Sequence, residues 1–157
     1  MSGRLAIIAG MTMSGCGHAR PEPVAPAPTK PAVQLAVLPA ESDSFPTAAR
    51  AVSSSLATAK VKGTDETKVS KVSLEVAQLA VECVEPTGAC YEAVGRSMSA
   101  NRLLFARIDG ATKRKLKVTV TLYDVDANAL LKTAAKLFAT ETEAARGAAA
   151  LVDEVTQ

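Results

Sequence analysis

The chain has 157 residues, with 18 Lys and Arg against 16 Asp and Glu and a net charge of +2. That balance excludes an electrostatically driven nucleic-acid binder. An aromatic content of 3% with no Trp argues against stacked platforms for bases or sugars. The 48% hydrophobic content draws heavily on Ala, so any core is built from small side chains with Val and Leu.

The N-terminus carries a positive residue, Arg4, then a short apolar run from Leu5 to Met13, then Ser14, Gly15 and Cys16. This is the layout of a secretory signal peptide. The run is about nine residues, and a helix needs roughly 20 to span a bilayer, so a retained transmembrane anchor is not expected. Met13-Ser14-Gly15-Cys16 resembles the lipobox of bacterial lipoproteins, with Met13 where Leu is usual. The resemblance implies cleavage before Cys16, diacylation of its thiol and acylation of the new N-terminus. An ordinary secretory signal is the alternative. Gly17 follows Cys16, without the Asp that marks inner-membrane retention in enteric bacteria, so the resemblance favours the outer membrane, facing the periplasm.

Residues 17–32 carry Pro21, Pro23, Pro26, Pro28 and Pro31 and few large apolar groups. Such a segment cannot bury enough surface to fold, and proline biases it towards an extended form. At ~3.1 Å per residue it reaches on the order of 50 Å, a tether suited to an anchored cysteine. The expected organisation is therefore a signal peptide over 1–15, a lipidated cysteine and tether over 16–32, and one domain over 33–157. Lipidation of Cys16 leaves two of the three cysteines, Cys83 and Cys90, for a disulfide in an oxidising compartment. Two buried free thiols are the alternative. A metal site is disfavoured because the single histidine, His18, lies in the tether.

Gln34 to Leu38, ended by Pro39, reads as a buried strand. Phe45 to Ala59 places Phe45, Ala48, Ala49, Val52, Leu56 and Ala59 at helical spacing. Val61 to Val69 is polar around Gly63-Thr64-Asp65 and reads as a weak strand or a loop. Ser73 suits an N-cap for a helix that turns Val76, Leu79, Ala80 and Cys83 inward until Pro86 breaks it. Thr87 suits the cap of a further helix through Ala100, with Cys90, Val94 and Met98 inward and Asn101 ending it. The two cysteines then pin the junction between these helices.

Arg102 to Ile108 reads as a strand and Asp109-Gly110 as a turn. Lys117 to Tyr123 alternates strictly, which predicts one buried and one solvated face. Asp124 to Asn128 reads as a turn, Leu130 to Phe138 as the return strand. Acidic residues in Thr140-Glu141-Thr142-Glu143 suit the first turn of a last helix, whose inner face is expected at Ala145, Ala149, Val152 and Val155. The expected fold is α+β: a small mixed sheet of about four to five strands with helices packed on it, closed by a C-terminal β-hairpin and then a helix.

Leu35-Ala36-Val37-Leu38-Pro39, the helix entering at Phe45, the step Ser99-Ala100-Asn101-Arg102-Leu103-Leu104 and the hairpin Leu122-Tyr123-Asp124-Val125-Asp126 resemble the N-terminal domain of TolB-type periplasmic proteins. They are similar also to the related domains of the lipoproteins CsgG and LpoB. The resemblance spans about residues 33 to 155 and implies an envelope domain that works through partners. The long membrane-inserting hairpins of CsgG, a secretion pore, find no counterpart in this sequence.

The densest charge cluster is Lys113-Arg114-Lys115-Leu116-Lys117, either a solvated hairpin end or a contact for anionic lipid or cell-wall groups. Asp124 and Asp126 stand two apart, as a carboxylate pair for acid–base chemistry or as turn formers. Ser53-Ser54-Ser55 has no histidine available to activate a nucleophile, and no phosphate-binding glycine loop stands in the domain. The sequence therefore points to a non-enzymatic, lipid-anchored envelope lipoprotein that binds an envelope protein complex or the cell-wall machinery, with no cofactor and no metal. A small-ligand accessory or sensor domain and a purely structural lipoprotein are the alternatives. An exposed apolar patch favours the envelope-partner reading and a deep enclosed pocket the small-ligand one.

Overall fold

Leu35, Ala36, Val37 and Leu38 are all buried because both faces of their strand are covered. The computed structural model describes residues 31–83, 85–111 and 115–157. Their elements, in chain order, are β1 (Gln34–Val37), α1 (Pro46–Ala57), β2 (Glu66–Val69), α2 (Leu74–Ala80), α3 (Gly88–Ser97), β3 (Arg102–Ala111), β4 (Lys115–Asp124), β5 (Ala129–Phe138) and α4 (Glu141–Thr156). The strands form one mixed sheet in the order β2-β1-β3-β4-β5. β1 runs parallel to β2 and β3, and β3, β4 and β5 form an antiparallel meander. This is the expected α+β class, with the C-terminal hairpin and helix in place.

Alternation along the strands sends side chains into two cores. Leu35, Val37, Leu104, Val118, Val120 and Leu122 meet Val52 and Leu56 of α1 and Ala148, Leu151 and Val152 of α4 on one face. Ala36, Leu38, Leu103, Phe105 and Tyr123 meet Leu74 and Ala77 of α2 and Val94 of α3 on the other. The second core stops at Tyr123 and Val125. Farther along the same face Lys117, Thr133, Ala135 and Leu137 are exposed, with Lys117 beside Leu137 in register.

The structure corrects the reading at several points. The 61–69 segment, expected as a weak strand or a loop, holds both: a loop to Asp65 and then β2, an edge strand with every side chain exposed, paired along β1 from Gln34 and Glu66. Asp109 and Gly110 are not a turn: they pair with Lys117 and Leu116 inside the β3–β4 ladder, because antiparallel pairing continues to Ala111 and Lys115. The inner face of α4 is Ala144, Ala148, Leu151, Val152 and Val155, so Ala145 is only half-buried and Ala149 is exposed. Alanines stand at 144, 145, 148 and 149, so a small-residue stripe does not distinguish the two faces.

The largest correction concerns α2. Leu74, Ala77 and Gln78 face inward, while Val76, Leu79 and Ala80 face solvent. The expected face required the helix to continue through Cys83, but it stops at Ala80. Glu82 takes φ +57, its N–H donates to Leu79 O at 3.1 Å, and the Cys83 N–H donates to Gln78 O at 2.9 Å. That is a Schellman ending with glutamate where glycine is usual. α3 ends the same way, earlier than Asn101: Ser99 has φ +54, and the Ala100 N–H donates to Gly95 O at 2.9 Å.

Asn101 instead joins strands. Its side-chain oxygen accepts from the Gln34 N–H at 2.9 Å, and its amide donates to Asp126 Oδ2 at 2.8 Å. The Arg102 guanidinium donates to the carbonyls of Lys62 and Gly63 at 3.0 and 3.2 Å, holding the loop before β2.

α1 begins at Phe45, which has no capping side chain, and Pro46. Its free N–H groups are satisfied from the far end of the chain, where Glu141 Oε2 accepts from Thr47 and Ala48 at 2.8 and 3.1 Å. The carboxylate also lies at the positive end of the helix dipole. Glu141→Ala is expected to destabilise the fold by about 1 kcal/mol, the usual cost of a lost N-cap, read as a lower urea midpoint with unchanged slope. An unchanged midpoint would show that water caps α1 equally well.

Candidate docking surfaces

Val76 and Leu79 are 44% and 68% exposed, and Val72, just before α2, is 40% exposed. At 100° per residue Glu75, Val76, Leu79 and Ala80 share one outward arc. The Ser73 hydroxyl caps the helix by accepting from the Val76 N–H at 3.4 Å and itself donates to Glu41 at 2.6 Å. Behind the helix, the amide of Gln78 donates to Cys90 Sγ at 3.3 Å.

Cys83 and Cys90 form a disulfide with their Cα atoms 5.7 Å apart. Cys90 lies in the first turn of α3, where its N–H donates to the Thr87 hydroxyl at 3.3 Å. The bridge thus ties the end of α2 to the start of α3 directly beside the outward arc. A shallow groove of about 220 Å³ bordered by Glu75, Gln78, Leu79 and Cys83 continues the surface. Between Lys71 and Arg96 the chain carries Glu75, Glu82, Glu85 and Glu92 and no Lys or Arg, which gives this apolar surface an acidic flank, with Arg107 of β3 at its edge beside Glu75 and Gln78.

The uncovered half of the sheet has the opposite character. Lys115 and Lys117, from the predicted basic cluster, are exposed on β4, while Leu116 between them is buried. Lys113 and Arg114 of that cluster lie outside the described residues. Leu130, Leu131 and Leu137 of the edge strand β5 are 57%, 46% and 56% exposed, whereas Lys132 and Lys136, exposed on the same strand, share the phase of Ala134 and Phe138 and lie on the other face. Strand phase explains this: Ala134 and Phe138 point into the core, so Leu137 points away. That alternation was the signal available in sequence for Leu137. Val76 and Leu79 of α2 carry no such signal in sequence, because their side depends on where the helix ends.

Candidate reactive groups have structural partners. Asp124 Oδ1 accepts from the Ala127 N–H at 2.8 Å, shaping the turn, and Asp126 takes the Asn101 amide. The Ser53 hydroxyl is within 3.1 Å of Ala40 N, Ala40 O and Ala49 O, and the Ser55 hydroxyl donates to Ala51 O at 3.1 Å. Tyr91 packs on Phe105 and Tyr123 with centroids 5.1 and 5.2 Å away. Burial raises both tyrosine pKa values above the ordinary one, with Glu92 adding to the effect on Tyr123 and the Arg107 guanidinium opposing it on Tyr91. Both phenols therefore stay protonated at neutral pH, and the Tyr123 hydroxyl faces the Gly88 carbonyl at 3.3 Å and the Asn128 side-chain oxygen.

Among the described residues no cluster of His, Cys, Asp and Glu is placed to hold a metal ion, and no helix is long and apolar enough to cross a membrane. A groove of about 610 Å³ between the β1–α1 loop and α1, bordered by Glu41, Asp43, Arg50 and Ser53, is open to solvent. Cys16 and the tether to residue 30 lie outside the described residues.

No protein-family model and no curated protein matches the chain. Solved structures similar to it include the LpoB C-terminal domain from Salmonella enterica, at TM-score 0.44 and 13% identity, covering 71% of this chain and 85% of that one. The PelC dodecamer from Paraburkholderia phytofirmans aligns at TM-score 0.44 and 14% identity, over 82% of this chain and 96% of that one. TolB from Acinetobacter baumannii aligns at TM-score 0.42 and 13% identity, over 80% of this chain and 27% of that one.

Proposed function

We propose that the chain is a lipid-anchored envelope lipoprotein, held at the outer membrane facing the periplasm, whose domain serves as a non-catalytic docking or assembly module. The observation that carries this reading is the outward arc of α2. Val76 and Leu79, with Val72 beside them, form a clustered apolar surface on a short helix that a disulfide holds in place. Burying such side chains against a partner is favourable by roughly 25 cal/mol per Å² of apolar area, before the costs of association. The engagement of Asp124, Asp126, Ser53 and Ser55 in local hydrogen bonds supports a binding role over a chemical one. The lipobox-like Cys16 and the proline-rich tether supply the anchor and reach for it.

The test uses the full chain in intact bacterial envelopes. Wild type is expected to fractionate with membranes and incorporate labelled fatty acid, and Cys16→Ser to lose both. Chemical crosslinking is expected to give discrete higher-mass species that disappear in Val76→Asp/Leu79→Asp, with the melting temperature of the variant retained. Identical crosslinked species in wild type and variant would remove α2 as the docking surface. A wild-type chain that is soluble and unlabelled would remove the anchor.

A further inference from the structure

We propose that the domain associates head to tail with further copies of itself, the acidic apolar face of α2 in one copy seating on the uncovered, basic apolar half of the sheet in the next. This deepens the docking reading by naming the occupant of the α2 surface, and it rests on that surface being a docking site. The argument is one of complementarity within a single chain. The α2 face offers Leu79 and Val76 flanked by Glu75 and Glu82, in a stretch with no basic residue from 72 to 95. The sheet face offers Leu137, exposed and in register with Lys117, with Lys115 two residues away on the same side. Asp109 is registered beside Lys117, and Arg107, on the same side of β3, borders a small pocket with Glu75 and Gln78 of α2, so Lys115 and Lys117 carry the basic character of this face.

Two-fold contacts are disfavoured by the same charges. α2 against α2 sets glutamates against glutamates, and sheet against sheet sets lysines against lysines. Only the unlike pairing covers both apolar surfaces and opposes the charges, and that contact is heterologous, so it propagates from copy to copy. Anchoring copies to one membrane raises their effective concentration and favours a contact of modest area.

The experiment uses the full chain purified in detergent, followed by sedimentation velocity. Wild type is expected to assemble beyond a monomer as concentration rises and to dissociate as salt is added. Two charge-reversed variants are made, Glu75→Lys/Glu82→Lys and Lys115→Glu/Lys117→Glu, with circular dichroism melts to show that each is folded. Each alone is expected to associate about tenfold more weakly than wild type. An equimolar mixture of the two is expected to recover assembly, because each reversed face then meets its complement on the other variant. A photocrosslinker at Leu79 in wild type is expected to label β4–β5 of a second copy. Monomeric wild type at every concentration, variants that assemble as wild type does, or a mixture that stays dissociated would overturn the proposal. Crosslinks to a different protein in intact envelopes, lost in Val76→Asp/Leu79→Asp, would leave the docking reading standing while this inference failed.

Discussion

Reduction of the Cys83–Cys90 bridge is expected to lower the melting temperature of the domain by roughly 10 °C. The two cysteines are separated by seven positions, and closing a loop of that size removes about 2–3 kcal/mol of unfolded-state entropy. In a domain of this length each kcal/mol moves the midpoint by a few degrees. α2 has few other means of holding its place. It is seven residues long, far below the length at which a helix is stable alone, and it contributes only Leu74 and Ala77 to the apolar core. Loss of the bridge is therefore expected to act first on α2, as faster amide exchange from Val76 to Ala80 at denaturant levels that leave the β3–β4 ladder protected. Thermal melts with and without reductant, beside a Cys83→Ser/Cys90→Ser variant insensitive to reductant, check it. Equal melting temperatures in all four measurements would show that the bridge does not constrain the fold.

The strands were legible because their patterns left little choice. Gln34 to Leu38 has no polar face to expose after its first residue, and Lys117 to Tyr123 alternates without a break. The helix caps at Ser73 and Thr87 are equally plain, since each side-chain oxygen accepts the N–H three residues on, and Thr140 caps α4 in the same way. What sequence did not disclose was orientation where two apolar stripes compete. On α2 the apolar Val76 and Leu79 look outward while Leu74, Ala77 and the polar Gln78 look inward. The helix ends at a left-handed glutamate that no propensity anticipates, and Gln78 finds a partner in Cys90 that is visible only in three dimensions. The same ambiguity among alanines shifted the inner face of α4 by one residue. Helical spacing alone therefore places Val76 and Leu79 in the core, and only the helix end and the Gln78–Cys90 contact turn them outward.

The position of α3 decides where Cys90, and through it α2, is held, and Gly95→Ala measures how closely α3 sits on the sheet. A Cβ added at Gly95 would come within 2.8 Å of Val125 Cγ1 and 3.1 Å of its Cβ, and closer still to Cγ2. Val125 is 1% exposed and β-branched, so it has no easy rotamer into which to retreat. Two effects oppose each other. Alanine in a helix interior is favoured over glycine by roughly 0.5–1 kcal/mol, while overpacking a filled core costs about 1–3 kcal/mol. Overpacking is expected to win here, with a net loss of about 1–2 kcal/mol. Val125→Ala alone is expected to be destabilising too, by roughly 2 kcal/mol, from the lost methyl groups and the cavity they leave. The double variant Gly95→Ala/Val125→Ala is the informative one: the new methyl enters the space that Val125 vacates, so its loss is expected to fall short of the sum of the single losses by about 1 kcal/mol or more. Urea unfolding of the three variants provides the cycle. A Gly95→Ala protein more stable than wild type, or strictly additive losses, would show that α3 stands farther from the sheet and that the disulfide, rather than helix packing, positions the acidic apolar face.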